Sequence, residues 1–110
     1  MSVEPLPISI IKSTHTLSCF DREDPLCRHY HVVVEERSKG RWAVIEPMGS
    51  VLSSNGEWED EPSPSSRTNE WLDSHRFSFE TAMELAHKAL PDIEANGVTA
   101  REMWKQKAEQ

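Results

Sequence analysis

Apolar and polar positions alternate with a period of two through the first half of the chain, and the period lengthens to that of a helix in the second half. In residues 29–37, Tyr30, Val32 and Val34 share one face while His29, His31, Val33 and Glu35 share the other. Three consecutive valines strengthen the strand. Ser38-Lys39-Gly40 is a polar turn in which Gly40 can take the positive φ of a tight hairpin, and residues 41–46 return as the partner strand, with Trp42 expected in the core. Pro47 and Gly49 end it. Val51-Leu52 and Trp58 then flank Asn55-Gly56, which suits the two left-handed positions of a type I′ turn. Ahead of this block, Ile8, Ile10 and Lys12 predict a first strand, and residues 19–27 dissolve into a charged loop.

The second half is helical. Ser78 is a good N-cap, and Phe79, Ala82, Met83, Ala86, Ala89 and Leu90 follow at helical spacing, with Ile93 continuing the stripe. Glu80, Glu84, His87 and Lys88 take the opposite side. Pro91 should bend or end this helix, and Asn96-Gly97 reads as its terminator. Thr99 and Glu102 are spaced as a capping box, with Val98 and Met103 at the positions of a hydrophobic staple. Residues 68–74, around Trp71 and Leu72, read as one helical turn.

The fold expected is therefore α+β: an antiparallel three- to four-stranded meander covered by one main helix, plus a short C-terminal helix. At 110 residues the chain should close one core, so one domain is expected over 1–110. Within it, 1–7 is a flexible lead-in, 29–60 the meander and 61–67 a Pro/Ser loop. The main helix spans 78–93 and the terminal helix 99–108.

Composition narrows the functional classes. Twelve Lys and Arg against 19 Asp and Glu give a net charge of −7, which argues against a nucleic-acid binder that must displace counterions from phosphate. Ile8-Ser9-Ile10-Ile11 is too short for a membrane span or a signal-peptide core. Two cysteines do not make a disulfide framework, so free thiols in a cytoplasmic protein are expected.

Three groups of residues carry candidate chemistry. His15, Cys19, Cys27, His29 and His31 are of zinc-ligand type, and on a strand Cys27, His29 and His31 would project from one face; the spacing matches no standard zinc knuckle. Zinc is therefore the alternative, and no cofactor is the leading expectation. No nucleophile elbow and no Gly-rich phosphate loop is present, so no catalytic residue is assigned, and His75 and His87 read as solvated. The run Glu57-Trp58-Glu59-Asp60-Glu61 sets four carboxylates around one tryptophan. Such a run is either a solvated hairpin edge or an anionic patch for a basic partner surface. Trp58 and Trp104 are the candidate exposed anchors, because tryptophan dominates interface hot spots.

The strings Arg41-Trp42-Ala43-Val44, Asn55-Gly56-Glu57-Trp58-Glu59, Glu61-Pro62-Ser63-Pro64-Ser65-Ser66-Arg67 and Arg76-Phe77 resemble small uncharacterised proteins of actinobacteriophages and their prophages. The resemblance covers residues 29–97 and implies an accessory protein in the bacterial host cytoplasm, with no activity to carry over. The order strand–strand–strand–helix is also similar to the DNA-binding arms of phage integrases. Those arms present a basic sheet, whereas this meander carries Glu35, Glu36, Glu46 and the acidic run. The leading expectation is a non-enzymatic protein that binds a host or phage protein through Glu57, Trp58, Glu59, Asp60, Glu61 and Trp104. The C-terminal helix is a candidate for self-association.

Overall fold

A computed structural model describes residues 6–10 and 12–110. The fold is α+β. Five antiparallel strands form one sheet in chain order: β1 (Thr14–Leu17), β2 (Val32–Ser38), β3 (Arg41–Ile45), β4 (Val51–Leu52) and β5 (Trp58–Glu59). Three helices follow, α1 (Asn69–His75), α2 (Phe79–Ala89) and α3 (Ala100–Ala108), with a two-stranded hairpin, β6 (Glu94–Ala95) and β7 (Val98–Thr99), between the last two.

The two faces of the sheet are different materials. Val34 pairs with Val44 and Leu52 with Trp58, so Val32, Val34, Trp42, Val44, Leu52 and Trp58 share the face that α2 covers. Ala82 and Ala86, both fully buried, are small enough to bring the helix close, and Phe79 meets the Trp42 ring edge-on at 4.8 Å. The other face carries Glu35 opposite Ala43 and Glu59 opposite Val51. A register shift between Glu36 and Ser38 leaves Arg37 as the extra residue of a bulge. Phe77 exchanges both backbone hydrogen bonds with Trp42, at 2.8 and 2.9 Å, which places Arg76 on the charged side by simple alternation.

Helix starts follow the sequence closely. Thr68 and Ser78 accept from Trp71 N and Thr81 N, and the Thr99–Glu102 capping box is complete. α2 ends at Ala89, and Pro91 sits in the one-turn helix Leu90–Asp92 that follows.

Four expectations are corrected. The first strand is Thr14–Leu17, while residues 6–10 carry no regular structure and leave Leu6, Ile8 and Ile10 largely exposed. The register explains this: Thr14 faces Glu35, so position 10 would face Lys39, where β2 has already turned back. Ile11 and residues 1–5 of the lead-in lie outside the described residues. β2 begins at Val32, and Cys27 lies in the one-turn helix Pro25–Arg28, so Cys27, His29 and His31 do not share a strand face. The two Asn-Gly dipeptides exchange roles. At Asn55-Gly56 only the glycine has positive φ (86°), and Asn55 Oδ1 instead accepts from Glu57 N in a turn closed by Gly56 N to Ser53 O. Asn96 and Gly97 both have positive φ (54° and 79°) and make the two-residue I′ turn between β6 and β7 rather than a helix terminus. Finally, His75 is buried, at 4% exposure, and is not a solvated side chain.

Candidate functional site

The charged face of the sheet closes around Glu61. Its Oε1 receives Arg37 Nη1 at 2.8 Å and faces Arg67 Nη2 at 3.5 Å, while Oε2 receives Arg76 Nη2 at 2.6 Å. Arg76 is the buried anchor, with 2% of its side chain exposed, and its second hydrogen bond goes to the His75 carbonyl. The Pro/Ser loop wraps this centre, with Arg67 Nε donating to the Pro62 carbonyl at 2.8 Å. Trp71 of α1 supplies the platform: Arg76 and Arg67 lie over its ring at 5.2 and 6.0 Å, and His75 stacks on it at 4.1 Å. Burial alone would push the Glu61 carboxyl up. The Arg76 hydrogen bond and the charges of Arg37 and Arg76 outweigh it and hold the group below the usual carboxylate range.

Glu59, His75 and Ser74 stand in a row beside this cluster. Ser74 Oγ lies 2.8 Å from His75 Nδ1, and Nε2 lies 3.1 Å from Glu59 Oε1. The row is similar in outline to a nucleophile relay, but its hydrogens run the wrong way. Nδ1 is 2.7 Å from the Trp71 carbonyl, an acceptor only, so Nδ1 carries a hydrogen and cannot take one from Ser74. Ser74 Oγ donates to the Glu70 or Trp71 carbonyl instead. The row fixes α1 to the sheet and does not activate the serine.

The acidic run is thus divided. Glu61 is spent inside the arginine cluster and Glu59 on His75, while Glu57 and Asp60 remain at the surface. Trp58 is half-buried: one side packs on the core and the other lines an open cleft of about 400 Å³. Met48 and Ile93 are the other apolar walls of this cleft, and Glu46, Asp92 and Glu94 rim it with no cation. Met48 is 90% exposed. Trp104 is half-exposed on α3 and lines a separate cleft of about 180 Å³ with Leu90, Pro91 and Cys19. The two clefts flank the same turn, Leu90–Asp92. α3 is held by buried Ala100, by Met103 on the core, and by Lys107, which pairs with Asp24 and lies over the Phe20 ring.

The zinc-type residues are spread out. His15 of β1 packs against the Phe79 and Trp42 rings, and Cys19 faces the Trp104 cleft. Cys27 and His31 line one cleft, and His31 Nδ1 lies 3.0 Å from the Cys27 carbonyl. His29 is exposed. Among the described residues, no three His, Cys, Asp or Glu side chains gather as a metal site. Partial burial pushes the Cys19 thiol above its usual range; a backbone hydrogen bond opposes this, and nearby Cys27 adds to it. No helix among the described residues is long and apolar enough to cross a membrane.

Sequence reasoning missed Glu46, Met48, Asp92 and Glu94 as neighbours of Trp58 in this cleft, because they lie on two segments that no spacing connects to it. It also missed the four arginines of the charged face. The signal that existed was Arg76-Phe77: a half-buried Phe that bridges to Trp42 of β3 and packs on the core puts its neighbour on the opposite face. Comparison with family models, curated proteins and solved structures finds no match to this chain.

Proposed function

We propose that this chain is a small accessory protein of the phage or prophage type that its sequence resembles, acting in the bacterial cytoplasm. It catalyses no reaction and binds a host or phage protein. The observation that carries this reading is the Trp58 cleft, an apolar floor of Trp58, Met48 and Ile93 rimmed by Glu46, Asp92 and Glu94. A wall of Trp and Met inside a ring of carboxylates suits a partner segment that sets Lys or Arg beside an apolar side chain. Trp104, across the Leu90–Asp92 turn, is the second anchor. The contact is therefore displaced from Glu59 and Glu61, which are engaged within the fold, toward acids that lie far from them in sequence.

The test is affinity capture from an actinobacterial lysate, quantified by mass spectrometry across a salt series. The triple variant E46Q/D92N/E94Q should lose the partner that the wild type retains at low salt, and E57Q/D60N should keep it. Equal recovery by wild type and triple variant contradicts the reading.

A further inference from the structure

We infer that the cleft between Arg37, Arg41, Arg67 and Arg76 is an oxyanion site that takes phosphate, free or as a phosphomonoester. The chain has seven arginines and a net charge of −7, yet four of the seven line this one cleft of about 210 Å³. Their internal counterions do not balance them. Glu61 serves three guanidiniums, and Asp73 serves Arg41 at 2.7 Å, which leaves two positive charges in excess. Glu35 does not change the sum, because it pairs with Lys12 as well as with Arg37.

The four arginines divide by role. Arg76 and Arg37 are fixed, the first buried under Glu61 and the second held between Glu35 and Glu61. Arg67 and Arg41 are the less tightly engaged arms: Arg67 uses Nε on the Pro62 carbonyl and Arg41 uses Nη2 on Asp73, and their other donors have no short partner within the fold. Arg67 stands 3.5 Å from a carboxylate oxygen that Arg37 already occupies, and the Arg41 partner, Asp73, is 74% exposed and easily displaced by a stronger anion. Each guanidinium has five donors in a rigid fork, and few of these are used within the fold. Trp71 fixes the plane of two of them, so the donors are preorganised. The guanidiniums also repel one another: burial lowers the Arg76 proton affinity, Glu61 restores part of it, and Arg37 and Arg67 lower it further. A dianion in the cleft relieves that repulsion.

A compact oxyanion fits better than a nucleic-acid strand. The cleft has room for several waters, hence for one tetrahedral group. Asp73, exposed beside Arg41 at the rim, would repel a chain of phosphates. This inference does not depend on the Trp58 cleft, which lies among other residues.

The test is an NMR titration of the full chain with sodium phosphate, and separately with phenyl phosphate, against sodium chloride at equal ionic strength. Saturable shifts of the Arg67 and Arg41 side-chain N–H signals are expected with both phosphates and not with chloride. Because each arm contributes charge-assisted hydrogen bonds, R67Q and R41Q should each weaken binding about tenfold. R101Q, the same charge change on α3, should leave it unaltered. R41Q removes a half-exposed rim side chain and so keeps the comparison intact if R67Q loosens the loop. Tighter binding of phenyl phosphate identifies a phosphomonoester as the ligand, and equal binding identifies free phosphate. Shifts that chloride reproduces, or that R67Q and R41Q leave unchanged, mean an adventitious ion only and overturn the inference. So does an oligonucleotide that binds more tightly than phosphate through the same arginines.

Discussion

The two faces of the five-stranded sheet are held together by opposite means. Under α2, Val32, Val34, Val44 and Leu52 pack against Ala82 and Ala86 without a charge among them. On the other face, Glu35, Glu59 and Glu61 meet Arg37, His75 and Arg76, and the one large aromatic platform, Trp71, binds cations rather than apolar side chains. The first face derives its stability from area removed from water, which is non-directional and tolerant. The second depends on geometry: a charge taken out of water is stable only while its partner stays in place. A face built that way is costly for stability alone and useful where an anion or a partner must be recognised.

The largest effect should come from the apolar face. Trp42→Ala removes a side chain packed between His15, Phe79 and the core, and should cost about 3–5 kcal/mol in urea unfolding. Next comes Glu61→Gln, which leaves Arg76 buried without its countercharge. With Glu61 itself partly exposed, about 2 kcal/mol is expected at neutral pH. Its pH dependence separates the two faces. The folded Glu61 carboxyl is held below its ordinary value, so its contribution is complete above the ordinary carboxylate range and is lost as pH falls through the depressed value. The wild type should therefore lose stability on acidification faster than E61Q, and parallel curves would break the contrast.

Ser78→Ala removes the cap that starts the covering helix and should cost about 1 kcal/mol. Arg41→Gln, at the solvent rim of the charged face, should change stability by less than about 0.5 kcal/mol while weakening phosphate binding. A loss of stability there as large as that of E61Q would mean that the rim is structural rather than a binding arm.

The apolar face was legible in the sequence because its information is periodic. Val32, Val34 and Val44 fall on one side of their strands, the α2 stripe repeats at helical spacing, and Ser78 and Thr99 mark the helix starts. The charged face was illegible for the converse reason. Glu61, Arg37 and Arg76 meet from three separate elements, and nothing local to any of them records the other two. The acidic run is continuous in sequence and divided in the fold. Alternation along β5 and the turn of the Pro/Ser loop send Glu59 and Glu61 inward to His75 and Arg76, and leave Glu57 and Asp60 outside. The exchanged Asn-Gly turns show the same limit: Asn55 is kept out of the left-handed region by its own side-chain bond to Glu57 N, a contact that the dipeptide alone does not reveal. Trp104 was readable only as a candidate for exposure, and its neighbours Leu90 and Pro91 were not readable at all.

Glu61 belongs to the inside of the molecule as the carboxylate of an arginine cluster, and not to an acidic surface. A side-chain carboxyl ¹³C titration of the full chain tests it most directly. Glu61 should titrate below the ordinary glutamate range in the wild type. A Glu61 carboxyl that titrates at or above the ordinary range would contradict the account.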